Sequence, residues 1–180
     1  MSRPPLTANA WLRFDAIRSS LRVAAPRTVL EIGAGEGALG SWLAAHYDYV
    51  GVERDDSSRA VAATRLAATG RGRLVADLAE VGSETFDLMC AFEVLEHIEH
   101  DSDALRAWSA HLEPNGHVLL SVPAHSRRYA DADRLAGHFR RYDRDVLVGV
   151  LADAGFRVVR LTSHGTGLGQ VLEHGRNFLA

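Results

Sequence analysis

Residues 28–37 read TVLEIGAGEG, a short apolar run that stops abruptly in a glycine-rich turn. Val29, Leu30 and Ile32 suit a buried strand, and Glu31 is the only charge among them. Gly33, Gly35 and Gly37 can take up positive φ and, lacking Cβ, let the backbone approach a ligand closely. Leu39, Trp42, Leu43, Ala44 and Ala45 follow with helix-forming character, so the stretch opens a nucleotide-type strand-loop-helix unit. A glycine turn alone would equally serve an ordinary tight connection, and the reading needs support from further along the chain.

Glu53 supplies it, twenty positions after Gly33 and at the end of a second apolar run over residues 49–52. In a βαβ unit an acidic residue at that place accepts hydrogen bonds from ribose hydroxyls, because the second strand lies beside the first and ends at the same edge. Gly33, Gly35 and Ala38 would also satisfy the dinucleotide fingerprint. Glu31 decides between the cofactors. A carboxylate two residues before the first glycine repels a pyrophosphate and attracts a cation, and S-adenosylmethionine carries an ammonium and a sulfonium but no phosphate.

EIGAGEG at 31–37, VGVE at 50–53, Asp77 after a third strand, FDLMCAFEVLEHI at 86–98 and LEPNGHVLLSVP at 112–123 follow one another in that order. On these residues the chain resembles a class I, Rossmann-like, S-adenosylmethionine-dependent methyltransferase over roughly residues 28–160. The resemblance implies an α/β fold, a doubly wound, mostly parallel sheet with helices on both faces. It also implies a cofactor site. Glu31, Gly33, Ala34, Gly35 and Gly37 would take the amino-acid end, Glu53 with the adjoining Arg54 the ribose, Asp77 and Leu78 the adenine, and Phe92 and Glu93 the methionyl and sulfonium end.

At 180 residues the chain reads as one domain, with a helical segment over residues 1–27 ahead of the first strand. Its 47% hydrophobic and 24% charged content is ordinary for a globular protein. No apolar run approaches the ~20 residues needed to cross a membrane. Arg3 is not followed by a continuous apolar segment with a cleavage site, so no secretory signal is expected and the cytoplasm is the expected location. The single cysteine, Cys90, excludes an internal disulfide and a cysteine-based zinc cluster. A net charge of −3 gives no reason to expect a nucleic-acid partner.

Along the chain, residues 8–23 place Trp11, Leu12, Phe14, Ile17, Leu21 and Val23 near helical spacing, an amphipathic helix that packs on the sheet. A helix from Asp56 or Ser57 to Ala68, a third strand over 73–76, a fourth over 86–92 and a helix over 103–111 follow. Pro114, Asn115 and Gly116 read as a turn before a fifth strand over 117–122. Regularity then stops: residues 123–142, PAHSRRYADADRLAGHFRRY, read as a long polar loop after a strand that points into the site, and hence as an acceptor lid. A helix from Asp143 or Asp145 and a sixth strand over 156–161 complete the pattern. The seventh strand of the family is doubtful, because residues 162–180 carry Gly165, Gly167, Gly169 and Gly175.

Displacement at a sulfonium methyl needs alignment above all, and a general base adds about 10²- to 10⁴-fold where the acceptor is a hydroxyl or amine. No metal is required. The candidate bases are His125 and His138, with Tyr142 as a hydrogen-bonding partner, while the resemblance gives His97 the task of ordering its loop. Similar bacterial methyltransferases also carry an aspartate followed by G-H-x-R-R-Y, matched here by Asp133, Gly137, His138, Arg140, Arg141 and Tyr142. Arg127, Arg128, Arg140, Arg141 and Arg144 concentrate positive charge here, which admits an acidic or phosphorylated acceptor. A solvated face paired with Asp131, Asp133 and Asp143 is the alternative. The expectation is methyl transfer from S-adenosyl-L-methionine to an oxygen or nitrogen of a small-molecule or glycan-type acceptor. The rivals are a non-catalytic S-adenosylmethionine-binding regulatory domain and an NAD-dependent oxidoreductase.

Overall fold

The computed structural model describes residues 8–163, with side chains from residue 13 onward. Five parallel strands form the sheet: β1 (Thr28–Ile32), β2 (Asp48–Val52), β3 (Arg73–Val75), β4 (Phe86–Phe92) and β5 (Leu112–Ser121), in the order β3-β2-β1-β4-β5. The helices are α1 (Ala8–Ala24), α2 (Ala38–His46), α3 (Asp56–Ala67), α4 (Asp101–Ser109), α5 (Asp131–Leu135) and α6 (Arg144–Asp153). The order reverses between β1 and β4, which opens a crevice at the carboxyl ends of those two strands.

Alternation along the strands builds two cores. Val29, Tyr49, Leu88 and Cys90 face Ile17 and Leu21 of α1, Leu43 and Ala44 of α2 and Leu66 of α3. Leu30, Ile32, Val50, Met89 and Ala91 face the other way, toward Leu105 and Trp108 of α4 and Leu147 and Leu151 of α6. Helices therefore cover both faces. Each fully buried side chain of leucine size contributes about 1.5–3 kcal/mol, and Leu30, Leu43, Leu88 and Leu105 are among those fully enclosed. Asp87 ties the start of β1 to β4, accepting from the backbone N–H groups of Arg27 and Thr28 at 2.9 and 3.0 Å. Among the described residues no helix is long and apolar enough to cross a membrane.

The sequence-based boundaries shift in several places. The N-cap of α3 is Asp55, whose carboxylate accepts from Ser58 N–H at 2.7 Å, and not Asp56 or Ser57. Helix α4 starts at Asp101, two residues early. The predicted turn at residues 114–116 lies inside β5 as a bulge: Phe86 pairs with Leu112 but Leu88 with His117, and Asn115 takes φ 65°. The extra residues are absorbed there because the chain re-enters the ladder beside β4.

The predicted sixth strand over 156–161 does not form. Phe156 and Val158 pack against the core while Val159 is 72% exposed, so the alternation buries one face of an irregular segment without a ladder partner among the described residues. Residues 123–142 are also more regular than predicted. They contain a 3₁₀ turn (Ser126–Arg128), helix α5, and a single parallel bridge between Ala124 and Tyr142. The doubtful seventh strand falls on residues largely outside those described.

Candidate active site

Strand β1 delivers the chain into the glycine loop, where Gly33, Gly35 and Gly37 all take positive φ, 72°, 55° and 73°. The N–H groups of Gly33 and Ala34 donate to Val52 O at 2.9 and 3.0 Å, so the loop folds back over the end of β2. Glu53 follows Val52 directly. Its carboxylate accepts from Gly35 N–H at 2.7 Å and from Asp55 N–H at 2.8 Å. Glu53 thus holds the loop in shape, and each carboxylate oxygen keeps a further lone pair. A methyl at Gly35 would meet no atom within 4 Å, whereas one at Gly37 would lie 2.8 Å from Ala62 Cβ. One glycine faces open space and the other faces a helix.

Glu31 is 3% exposed, and Tyr49 donates its hydroxyl to Glu31 Oε2 at 2.6 Å. Space for that hydroxyl comes from Gly40 of α2 and Gly51 of β2, since a Cβ at either position would collide with it. Burial pushes the Glu31 carboxyl up to about 8; the Tyr49 hydroxyl pulls it down and the charge of Glu53 pushes it further up. Burial and Glu31 together raise Tyr49 well above its ordinary value, so Tyr49 stays a donor. Among the described residues no basic side chain is hydrogen-bonded to Glu31. A ligand cation is the partner that would keep it ionised.

Glu31 lines a cleft of about 190 Å³ together with Gly33, Ala34, Arg13, Phe14 and Phe92. Helix α1 closes one side of it. Arg13 pairs with Glu93 at 3.1 Å, and Ser121 Oγ donates to the same Glu93 oxygen at 2.9 Å, so the ends of α1, β4 and β5 are joined. Glu93 takes φ 57°, a left-handed conformation that costs a non-glycine residue about 1–3 kcal/mol and clusters at functional sites.

Asp77, Glu53, the glycine loop and Phe92 occupy the ends of β3, β2, β1 and β4, neighbouring strands of one sheet edge. At ~4.8 Å per strand the row is roughly 14 Å long, which suits an elongated ligand. Asp77 caps the 3₁₀ turn that begins at Leu78, accepting from Ala79 N–H at 3.0 Å, and pairs with Arg54 at 2.8 Å. The Ala79 amide and then Arg54 hold its carboxyl below the usual range.

The segment after β5 is fastened by buried carboxylates. Asp133 is 2% exposed; it receives Arg141 Nε at 2.8 Å, Ala130 N–H at 2.8 Å and His138 Nδ1 at 3.0 Å. Burial pushes Asp133 up, but those three donors hold it below its ordinary value. Asp101 receives Arg140 and the Tyr142 hydroxyl, each at 2.9 Å. Tyr142 is itself buried, and its hydroxyl bonds go to Asp101 and Leu95 O rather than to either candidate histidine. Two of the five arginines that suggested an anionic acceptor, Arg140 and Arg141, are thereby engaged inside the fold. His125 stands apart on the exposed rim, in a left-handed conformation with φ 65°.

Glu96 received no role of its own from its sequence position within FDLMCAFEVLEHI. It is fully buried, and neither carboxylate oxygen has a hydrogen-bond partner among the described residues. Burial pushes its carboxyl up to about 8. His138 Nε2 lies 4.0 Å from Glu96 Oε1, and the His97 ring stands edge-on to the His138 ring at 4.7 Å. Burial and then the charge of His138 lower His97 from its ordinary value.

A methyltransferase-domain family profile matches residues 12–161. The ubiquinone biosynthesis O-methyltransferase of Dechloromonas aromatica is 32% identical over 117 residues, 62% of this chain and 50% of its own. This chain spans about half the length of the curated relatives it matches. Among solved structures, an S-adenosylmethionine-dependent methyltransferase from Clostridium acetobutylicum superposes with a TM-score of 0.68 at 14% identity, covering 88% of this chain and 84% of that one. Magnesium protoporphyrin IX methyltransferase from Synechocystis PCC 6803, with bound S-adenosylhomocysteine, gives 0.67 at 18% identity over 82% of this chain and 73% of its own. At such identities the likeness is one of fold. The profile match takes in most of α1, all five strands and the segment after β5, and the chain belongs to the methyltransferase-domain family, the class I, S-adenosylmethionine-dependent methyltransferases.

Proposed function

We propose that this protein transfers the methyl group of S-adenosylmethionine to an oxygen, or failing that a nitrogen, of a small-molecule or glycan-type acceptor. The observation that carries the reading is Glu31, a buried carboxylate whose hydrogen bond among the described residues comes from Tyr49 and not from a basic side chain, facing a cleft beside the open face of Gly35. That site suits a cationic ligand and penalises a pyrophosphate. Oxygen comes first because the curated relatives are O-methyltransferases.

When bound, the cofactor supplies an electrophilic methyl on a cationic sulfur. Glu31, Ala34 and the glycine loop would receive its amino-acid end, Glu53 its ribose, and Asp77 and Leu78 its adenine. Phe92 and Glu93 stand at the switch point, on the side where the methyl would emerge. Residues 123–142, tied to the turn after β4 by Phe139 N–H on Glu96 O, would form the wall over that side, with Asp133 orienting the His138 ring within it. The reaction asks mainly for alignment, which a wall pinned by Asp101 and Asp133 serves better than a loose loop. Arg127 and Arg128 of the same wall are the side chains toward which an acidic or phosphorylated acceptor would turn.

Calorimetry with S-adenosylmethionine, S-adenosylhomocysteine and NAD tests the cofactor, and mass spectrometry of products from phenol, catechol, sugar and amine panels tests the transfer. Binding of both adenosyl ligands, no binding of NAD and a mass gain of one methyl are expected. Binding of NAD alone would overturn the reading. Binding of the adenosyl ligands without product from any panel would favour a regulatory domain.

A further inference from the structure

Helix α3 turns one ridge toward the loops at the carboxyl ends of β1 and β2. Arg59, Ala62 and Arg65 stand three residues apart, so they line up along one side of the helix. Each meets a different part of the two loops. Arg59 Nη1 donates to Glu53 O at 2.7 Å and to Arg54 O at 3.2 Å, the first carbonyls beyond the end of β2. Ala62 packs against Gly37, where an added Cβ would lie 2.8 Å from its methyl. Arg65 Nη1 donates to Glu36 O at 2.6 Å, and its Nη2 reaches the Glu36 carboxylate at 3.2 Å. Both guanidinium-bearing side chains are lodged rather than solvated, 25% and 31% exposed against 84% for Arg54.

With Arg59 in place, every polar group of Glu53 is engaged. Its N–H donates to Val75 O at 3.0 Å, its C=O receives Arg59, and its carboxylate receives Gly35 N–H and Asp55 N–H. Strand, helix and glycine loop therefore converge on one residue. Arg65 has the corresponding task on the loop itself, since Glu36 lies between Gly35 and Gly37 and lines the cleft. A hydrogen bond from a charged donor is about twice as strong as one between neutral groups, and a binding group works only when the residues behind it hold it to within about 0.5 Å.

We propose that Arg59 and Arg65 are positioning residues which, from α3, fix the Glu53 carboxylate and the glycine loop at one spacing, and that this spacing gives the cleft its selectivity for a ligand with a ribose diol. Neither arginine touches the ligand; Arg59 acts through Glu53 and Arg65 through Glu36. The identity of that ligand as an adenosyl compound rests on the reading above, whereas the clamp stands on the ligand-free geometry.

The test uses the full chain with Arg59→Met and Arg65→Met, which keep an apolar stem and remove the donors. In the ligand-free protein the Gly35 and Asp55 amides, both held by Glu53, should exchange about 10-fold faster in Arg59→Met. Amides of β1 and β4 should exchange as in the parent, and Arg59→Gln, with a neutral donor, should show the same ordering in milder form. Arg71→Met is the control: Arg71 pairs with Asp48 at the opposite end of β2 and should leave Gly35 and Asp55 unchanged. Calorimetry then compares S-adenosylhomocysteine with its 2′,3′-dideoxy analogue, which gives Glu53 nothing to accept. The parent should favour the diol roughly 100-fold and Arg59→Met only about 10-fold, with the dideoxy analogue bound equally by both. Arg65→Met should weaken both compounds alike, by about 5-fold, because it acts on the loop that receives the part they share. A general structural role for Arg59 would weaken both compounds alike and leave the ratio at its parent value. That outcome, or parent-like exchange at Gly35 and Asp55 in Arg59→Met, overturns the proposal, and parent-like affinity in Arg65→Met removes Arg65 from it. Faster exchange at those amides in Arg59→Met, with neither compound bound by the parent, supports the clamp and overturns the methyltransferase reading instead.

Discussion

Gly35 and Gly37 belong to one loop, share the left-handed conformation and differ in what an added methyl would meet, so Gly→Ala at each separates binding from folding. At Gly35, with φ 55° and no atom within 4 Å, alanine costs only the left-handed strain of about 1–2 kcal/mol. The loss of unfolded-chain freedom offsets about 0.4–1 kcal/mol of that, which leaves a net cost of about 1 kcal/mol. At Gly37 the same strain is joined by contacts of 2.8 and 2.9 Å to Ala62 Cβ and Cα, which belong to α3 and cannot rotate away. Overpacking of this kind costs about 1–3 kcal/mol, so with the same offset the total is about 2–4 kcal/mol. At about 2–4 °C per kcal/mol for a chain of this size, Gly35→Ala should melt within a few degrees of the parent and Gly37→Ala roughly 10 °C below it. Affinity should show the opposite order. A methyl at Gly35 occupies space where the ligand backbone must approach, and should weaken S-adenosylhomocysteine by about 2 kcal/mol, near 30-fold, while Gly37→Ala, measured well below its melting point, should stay within a few-fold. Calorimetry and thermal denaturation read the two axes separately. Parent-like affinity in Gly35→Ala would refute the placement of the cofactor on this loop, and equal melting temperatures would refute the packing argument.

Three further outcomes follow from the carboxylates and from Tyr142. Glu31 is held near 8 against a usual 4.5, so its contribution to stability is fully present below pH 4.5 and is lost as pH rises toward 8; Glu31→Gln should flatten that slope in the ligand-free protein. Cofactor binding should conversely tighten between pH 6 and 8, with proton release visible as a dependence of the calorimetric heat on buffer ionisation enthalpy. Glu53→Ala should weaken S-adenosylhomocysteine by about 1–3 kcal/mol, and because Glu53 also holds Gly35 N–H, hydrogen exchange at Gly35 should speed up even without ligand. Tyr142→Phe removes one of the two side-chain donors on Asp101 and should cost about 1–3 kcal/mol of stability while cofactor affinity stays unchanged; a variant as stable as the parent would deny Tyr142 its anchoring task.

The sheet was legible because its determinants are local. TVLEI, DYVGV and FDLMCAF announce buried strands by composition, and the glycines between the first two fix where the chain turns. Glu53 was legible through register: Glu31 pairs with Gly51, which carries Glu53 to the loop that Glu31 begins. The segment over 123–142 was misread because its order comes from pairs distant in sequence. Asp101 meets Tyr142 across 41 positions, and without that knowledge a run of arginines and aspartates looks like a solvated loop. Glu96 was missed for the related reason that burial of a charged side chain in a short turn leaves no periodic signature. Residues 156–161 show the reverse error. Valine and phenylalanine report fit to a half-buried surface, and here the surface was available without a strand to pair with.

Four carboxylates are buried in the described fold, and they divide into two kinds. Asp101 and Asp133 meet guanidinium groups and a tyrosine or imidazole, so the fold itself neutralises them. Glu31 and Glu96 meet no guanidinium in the described hydrogen bonds, and burial drives both to about 8. These two stand at or just beyond the carboxyl ends of β1 and β4, the adjacent strands at the switch point. A buried carboxylate without a cation destabilises the ligand-free protein, and the same deficit becomes differential affinity when a cation arrives. Filling the Glu31 site should therefore stabilise the fold by RT ln(1 + [L]/Kd), about 2.7 kcal/mol at a hundredfold excess over Kd. An adenosyl compound should raise the melting temperature of the parent and of Glu96→Gln by the same increment. In Glu31→Gln that increment should vanish. Its loss in Glu96→Gln as well would mean that the two carboxylates share one ligand, and the placement of the cofactor at the end of β1 would have to be redrawn.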